Sequence, residues 1–333
     1  MKVYKILLLI LMNSNLFAQD WANATKTLDV FIIRKVYFHS PDTGFAVIFT
    51  FKNETSGLYE TMDGGQNWLP RLTYNTHELF PNNSPVITKN GYVLYNYGQP
   101  GDSMIYYHRD SSRYDTFTRQ FPSHNNNFSL SKNLVFISSR QNAKTYKIDL
   151  VSHKSKKVLD RVLDKKHDPS INTVNDSILY TPGYSTIDDY FMLKSTDYGN
   201  NWKRIAYQSP AGLEQFFSHF IAPDTAVGYS RRNPYIYWTY NEGQSWDSIA
   251  HGIDFGSHID DVKFADKDTG YAIVDARRLF KTCNGGKTWK ETFYFDCNQN
   301  YIGLIDAQNL YCYSTANNQG CISKTRNGGG SFC

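Results

Sequence analysis

Three short stretches carry side chains with an evident chemical capacity: "SSRQ" with Arg140, "YSRRNP" with Arg231 and Arg232, and "VDARRLF" with Arg277 and Arg278. A guanidinium presents a planar fork of N–H donors that matches a carboxylate or phosphate, so arginines gathered on one surface would bind an anionic group or an acidic protein segment. The plainer account is that exposed turns carry solvated arginines, some neutralised by neighbours such as Asp275. A second set is acidic and imidazole-bearing: His77 and Glu78, His124, His167 and Asp168, Glu214, and the run His251, Asp254, His258, Asp260, Asp261. Glycosidic cleavage needs two carboxyl groups at a fixed separation, and Glu78, Asp168, Glu214 and Asp254 are its candidates. With 31 acidic residues in the chain, however, several will share a surface by composition alone. No phosphate loop, nucleotide fingerprint, nucleophile elbow or paired Cys/His spacing occurs, so neither a cofactor nor a metal is expected.

The elements that must position these residues announce themselves by repetition. The pattern [Ser/Thr]-x-[Asp/Asn]-x-Gly-x-x-[Trp/Phe] occurs five times. Its copies place Thr61, Asp63, Gly65 and Trp68; Ser195, Asp197, Gly199 and Trp202; Thr239, Asn241, Gly243 and Trp246; Thr282, Asn284, Gly286 and Trp289; and Thr325, Asn327, Gly329 and Phe332 in corresponding roles. The last four start 44, 43 and 43 residues apart, and the gap from Thr61 to Ser195 leaves room for two decayed copies, near Tyr106 and Tyr146. A second marker, "FHSPDTGFAV", "FIAPDTAVGY" and "FADKDTGYAI", recurs in step with the first, and weaker versions bring its count to seven. In each unit the Asx side chain bonds back to main-chain N–H groups, Gly supplies a positive φ, and the aromatic ring packs between sheets.

A period of about 44 residues built from short alternating strands predicts a β-propeller blade. The expected fold is all-β: a seven-bladed propeller of four-stranded antiparallel blades. The segment Trp21 to Ile33 is expected to act as the N-terminal strand that completes the last blade and closes the ring, removing exposed sheet edges. No linker divides residues 19–333, which read as one domain. The repeated turns should lie on one face, with the arginine-bearing loops and the blade-to-blade connections on the other.

The copies resemble the Asp-box, or BNR repeat, of sialidases, xyloglucanases, sortilin-type receptors and photosystem II assembly-factor-like propellers. The combination "F…DTGYA…TxxGGxTW" most resembles the last of these, which implies a protein-binding scaffold. The enzyme families match less well. Sialidases have an aromatic-Arg-Ile-Pro segment on the first strand, whereas here "FIIRKV" follows Arg34 with Lys35 and Val36. Asn at positions 241, 284 and 327 can shape a turn but cannot act as a general acid or nucleophile. The resulting expectation is a non-catalytic protein binder, with Arg140, Arg231, Arg232, Arg277 and Arg278 as its contact. The alternative is a glycan binder or divergent glycosidase using tyrosines and carboxylates.

Residues 1–18 read as a secretory signal peptide: Lys2 and Lys5 precede the apolar "ILLLILM", and Ala18 suits cleavage. The apolar run is too short to span a bilayer, so a secreted or periplasmic mature chain without a membrane span is expected. Cleavage would bring the net charge from +4 to +2, too weak to point to nucleic acid. All five cysteines fall in the last 51 residues, and export would let disulfides persist. Cys312 and Cys321 flank the turn-like "STANNQG" and are the expected pair.

Overall fold

The computed structural model describes residues 22–23, 31–50, 55–74, 86–88, 91–96, 103–108, 114–118, 126–131, 133–139, 144–152, 154–160, 171–175, 177–185, 189–205, 210, 216–230, 233, 235–253, 258–315 and 321–330. Its strands pair antiparallel into four-stranded sheets. The first sheet comprises β2 (Phe31–Phe38), β3 (Gly44–Thr50), β4 (Thr55–Thr61) and β5 (Leu69–Tyr74), once β1 (Ala22–Asn23) is set aside. The second holds β6 (Val86–Thr88), β7 (Gly91–Asn96), β8 (Ser103–His108) and β9 (Tyr114–Thr118). The third holds β10 (Asn126–Ser131), β11 (Leu134–Ser139), β12 (Lys144–Asp149) and β13 (Ser155–Asp160). The fourth holds β14 (Asn172–Thr173), β15 (Leu179–Ser185), β16 (Asp189–Ser195) and β17 (Lys203–Ile205). The fifth holds β18 (Phe216–Phe220), β19 (Ala226–Ser230), β20 (Tyr235–Thr239) and β21 (Asp247–Ala250). The sixth holds β22 (Ile259–Phe264), β23 (Gly270–Val274), β24 (Arg278–Thr282) and β25 (Lys290–Tyr294). The strands β26 (Tyr301–Leu304), β27 (Leu310–Tyr313) and β28 (Ile322–Thr325) form a closing sheet with β1. First strands of neighbouring sheets touch, as β6, β10, β14 and β18 do in series and as β26 does with both β22 and β2, so they surround the central axis.

The expectation of seven equivalent blades is corrected to six. Six blades are complete runs of four consecutive strands, whereas the remaining sheet is a composite that takes its outer strand from the other end of the chain. Among the described residues that outer strand is Ala22–Asn23, paired with Lys324 and Ser323, while Phe31–Ile33 of the expected segment belong to β2. The reason is burial. Ile32 and Ile33 are 7% and 0% exposed in the innermost strand of the first blade, an environment that an outer strand cannot offer. Residues 1–21, including the expected signal peptide, lie outside the described residues.

The repeated turns explain why the blades stand rigidly. Strands β4, β16, β20, β24 and β28 all end on the hydroxyl residue of the motif. That hydroxyl accepts from the motif glycine: Thr61 Oγ1 from Gly65 N at 2.7 Å, Ser195 Oγ from Gly199 N at 2.9 Å, Thr282 Oγ1 from Gly286 N at 2.9 Å. It donates to the Asx carbonyl or carboxylate, as Thr61 does to Asp63 at 2.8 Å. Gly199 shows why glycine is required, since its φ is +71° and a Cβ there would lie 2.6 Å from the Phe136 ring. Each turn also docks on the first turn of its own blade, through Gly64 N to Asp42 O, Glu242 N to Asp224 O, Gly285 N to Asp268 O and Gly328 N to Gln308 O. At the two decayed copies β8 pairs antiparallel with β9 and β12 with β13.

Neighbouring sheets are tied by aromatic side chains that reach across the seam. Tyr180 donates to Pro223 O, Trp238 Nε1 to Gly285 O at 2.9 Å, Tyr271 to Ala307 O at 2.8 Å, and Tyr311 to Val36 O at 3.4 Å. Each ring buries its apolar body while its polar tip finds a carbonyl on the next sheet. Lysines just before the motif hydroxyl, or at the equivalent place in β12, reinforce this. Lys147 bonds Asn200, and Lys194 pairs with Glu242.

The expected Cys312–Cys321 disulfide is corrected as well. Cys321 is bonded to Cys297, and Cys312 is a buried free thiol. Strand register decides it, because Cys312 lies opposite Ser323 and not opposite Cys321. Cys283 is disulfide-bonded too. Among the described residues, no helix is long and apolar enough to cross a membrane.

Candidate functional site

With the repeated turns fixed to one face, the loops from second to third strands and the blade-to-blade connections occupy the opposite face. The described part of that face is concentrated on the sixth blade and the closing sheet. Arg140, Arg231 and Arg232 lie outside the described residues. Arg277 and Arg278 are described, and their side chains take different roles.

The β23–β24 hairpin turns through Asp275 and Ala276, both in the left-handed region at φ 52° and 58°. This geometry suits a tight turn closed by Arg277 N–H to Val274 O, but it strains residues other than glycine. Neighbours hold it in place. Ala276 N donates to Asp260 Oδ2 at 2.7 Å, its carbonyl accepts from Gln299 N at 2.6 Å, and Asp275 Oδ1 accepts from His258 N at 2.8 Å. Arg277 follows this pinned turn, is exposed, and donates from Nε to Asn298 Oδ1 at 3.0 Å. Arg278 instead pairs with Glu291 at 2.9 Å across β24 and β25, its guanidinium 4.8 Å from the Phe280 ring centre. It serves the outer wall of the blade. Asp275, the neighbour expected to neutralise an arginine, is occupied by main-chain N–H of His258.

Exposed aromatic side chains share this face. Tyr294 at the end of β25 is 57% exposed, and Tyr301 at the start of β26 is 43% exposed and stacks on Tyr313 at 5.1 Å. Tyr235 begins β20 on the same face, 38% exposed. Beneath them, Asn300 links the blades: its N–H bonds Tyr313 O, its amide reaches Asp260 Oδ1 at 3.4 Å, and Ser314 Oγ donates to its Oδ1 at 2.9 Å. Sequence reasoning missed Tyr294, Tyr301, Asn298 and Asn300. "YFDCNQNYI" carries no motif, and only the three-dimensional path of the connection brings it beside Arg277.

The acidic candidates separate. Glu78, Asp168, Glu214, Asp254 and His77, His124 and His167 lie outside the described residues. Asp260 and Asp261 both accept from main-chain N–H groups, of Ala276 and Ile302 respectively, which makes them ties between strands. His251 is buried between Ile253 N and Asn233 O, and desolvation lowers its pKa. On the turn face, the Asp197 carboxyl is held at about 2 by hydrogen bonds led by the Asn201 N–H. At Asp63 partial burial opposes ionisation, but bonds from Asn67 and Thr61 prevail and the pKa is also about 2. Neither can hold a proton for acid catalysis near neutrality. Among the described residues no cluster of His, Cys, Asp or Glu could hold a metal ion.

No protein-family model matches this sequence, and neither does any curated protein. The structural comparison is decisive for the fold. The chain is similar in structure to YCF48. YCF48 from Cyanidioschyzon merolae superposes with a TM-score of 0.59 at 16% identity, covering 92% of this chain and 98% of that one. YCF48 bound to D1 peptide superposes with a TM-score of 0.65 at 14% identity, covering 93% and 96%. The extracellular domain of BT4673 from B. thetaiotaomicron gives 0.60 at 14%, covering 92% of this chain and 40% of that one. The GH74 xyloglucanase from Xanthomonas campestris gives 0.58 at 12%, covering 92% and 53%. YCF48 and a glycosidase thus share this architecture, so at these identities the likeness establishes the fold and leaves function to the site.

Proposed function

We propose that the chain is a non-catalytic propeller, secreted or periplasmic, that binds a protein partner through the face opposite the repeated turns. The observation that carries this reading is the pinned Asp275–Ala276 hairpin, which holds exposed Arg277 on the same face as the exposed Tyr294 and Tyr301. Arginine and tyrosine are the side chains most enriched at protein interfaces, and a pre-ordered backbone lowers the entropy lost on binding. The structural likeness to YCF48 bound to D1 peptide supports the same direction. We read the repeated turns as Asp-boxes serving structure, since three carry Asn and the two acids are tied up as ionised acceptors. The export reading rests on residues 1–18.

The test is affinity capture from envelope and culture fractions with the purified mature chain, an Arg277→Glu variant, and Lys267→Glu on the turn face as control. Recovery of one protein in stoichiometric amount by wild type and control, and its loss with Arg277→Glu, is the expected result. Recovery of no protein, alongside retention on polysaccharide columns, would move the reading to a glycan binder whose stacked Tyr301 platform receives the sugar.

A further inference from the structure

The connection from β25 to β26 is a strap with two attachments. Toward the sixth blade it holds the hairpin: Phe295 N donates to Arg277 O at 2.8 Å, Gln299 N donates to Ala276 O at 2.6 Å, and Asn298 Oδ1 accepts from Arg277 Nε at 3.0 Å. Toward the closing sheet it is held by Asn300 N donating to Tyr313 O and by a covalent bond from Cys297 to Cys321, across a separation of 24 residues. Cys321 directly precedes β28. Asp275 and Ala276 sit at φ 52° and 58°, a conformation that costs a non-glycine residue about 1–2 kcal/mol and persists only while neighbours impose it. Cys297 lies between Phe295 and Gln299, so the disulfide anchors the stretch that imposes it.

The two sulfurs share one buried amide. Gln299 is 0% exposed, and its Nε2 lies 3.2 Å from Cys321 Sγ, 3.4 Å from Cys297 Sγ and 3.1 Å from Ser323 Oγ. Its Oε1 is buried with no hydrogen-bond partner among the described residues. A disulfide offers that oxygen no donor, and a buried acceptor left without one costs about 1–3 kcal/mol. Two thiols would place two S–H donors beside the same amide. The oxidised pair thus leaves unsatisfied a polar atom that the reduced pair can satisfy. Access is asymmetric: Cys321 is 5% exposed, whereas Cys297 is half-buried between exposed Asp296 and Asn298. An incoming thiolate meets Cys297 first, and the amide N–H on Cys321 Sγ stabilises that sulfur as the leaving thiolate.

We propose that Cys297–Cys321 is a reducible clasp on the Arg277 hairpin, opened by a dithiol reductant. One thiolate of the reductant attacks Cys297 Sγ and forms a mixed disulfide, while the Cys297–Cys321 bond breaks and its electron pair leaves on Cys321. The second thiolate of the reductant then attacks the mixed disulfide and releases Cys297. The two protein sulfurs take up two protons, the ones the dithiol has given up, so the chain gains two electrons and the reductant becomes a disulfide. With the clasp open, the strap no longer holds Ala276 and Arg277 in one shape. An effect on partner affinity rests on the protein-binding reading, whereas the clasp itself does not.

The experiment equilibrates the purified chain with graded ratios of reduced to oxidised dithiothreitol. Non-reducing peptide mapping after acid quench measures the Cys297–Cys321 bridge, brief alkylation of the native chain at buried Cys312 reports unfolding, and hydrogen exchange compares the Ala276 and Gln299 amides with those of β3. The bridge is expected to open while Cys312 stays unmodified, with exchange at Ala276 and Gln299 faster by about tenfold or more and β3 unchanged. Gln299→Met removes both the amide donor and the unsatisfied oxygen, and is expected to need a ratio about tenfold higher for the same extent of reduction. A bridge that opens only as Cys312 becomes alkylated, exchange that is equal in the two states, or a natively folded Gln299→Met chain reduced as readily as wild type would overturn the proposal. The wild-type measurements decide alone if Gln299→Met does not fold. No partner is added, so the result stands whatever affinity capture returns.

Discussion

Asp63 accepts two hydrogen bonds from Asn67, from the main-chain N–H at 2.9 Å and from the side-chain Nδ2 at 2.7 Å. Asp197 and Asn201 repeat the arrangement at 2.8 and 2.6 Å. Where the turn carries Asn the partner changes with it: Asn241 Nδ2 donates to Ser245 Oγ and Asn284 Nδ2 to Thr288 Oγ1, both at 2.9 Å. An acid that only accepts is matched with an amide donor, and an amide that donates is matched with a hydroxyl.

Breaking this match should cost stability in a predictable way. Asp63→Asn turns an amide group toward the Asn67 amide and leaves one donor without an acceptor, so a loss of about 1–2 kcal/mol is expected. The double variant Asp63→Asn with Asn67→Ser should recover most of it. Chemical denaturation of wild type, both single variants and the double variant checks this, and additive losses would contradict it.

The cysteines yield a prediction by mass. Non-reducing peptide mapping should join Cys297 to Cys321 and recover Cys312 as a thiol that is alkylated only after unfolding, since burial raises its pKa well above normal. Replacing Cys297 with Ser should lower stability by about 3 kcal/mol, the loop-entropy value for a separation of 24 residues. Rapid alkylation of the native chain at Cys312 would contradict the assignment.

The seam between closing sheet and first blade should respond to pH. Lys324 Nζ is buried without a hydrogen-bond acceptor among the described residues, 4.6 Å from the Phe38 ring centre. Desolvation, then the Arg326 charge, lowers its pKa to about 8 against weaker opposition from Asp42 and Asp63. Because the unfolded chain holds this proton up to its ordinary pKa of 10.5, stability should rise with pH between about 8 and 10.5. Tyr271, Tyr311 and Tyr313, whose pKa values burial raises, act oppositely above pH 10, where only the unfolded state loses their protons. Urea midpoints across this range should therefore climb and then fall in wild type, and the climb should be shallower in Lys324→Met, the remainder coming from Lys35, Lys147 and Lys281, whose pKa values burial also lowers.

Strain at the Arg277 turn can be relieved. Ala276→Gly removes a left-handed penalty of about 1–2 kcal/mol and adds a flexibility cost of about 0.5–1, so a small net gain in stability is expected. Thermal melts read the gain, and partner affinity should fall as the turn loses its fixed shape.

The fold was legible because the turn residues repeat a local requirement. Thr282, Asn284, Gly286 and Trp289 must occupy one spacing for their hydrogen bonds to close, and that spacing survives in sequence. The closing sheet was less legible: a two-residue pairing of Ala22 and Asn23 leaves no periodic trace, and Ile33 looked as suited to an outer strand as to the innermost one. At the candidate site the arginines could be named, but Arg278 could not be separated from Arg277, because Glu291 lies 13 residues away and meets it only through strand register. Tyr301 and Asn298 were invisible for the same reason, as their partners come from other strands.

The central claim is that a protein partner docks on the face opposite the repeated turns. Its most direct test places a photo-crosslinking amino acid at Tyr301 on that face and, in a second chain, at Tyr240 on the turn face, where the native ring is 57% exposed. Irradiation in the source cells should give a discrete heavier band from the Tyr301 position and none from Tyr240. A discrete adduct from Tyr240 alone, or from neither position, would contradict the account.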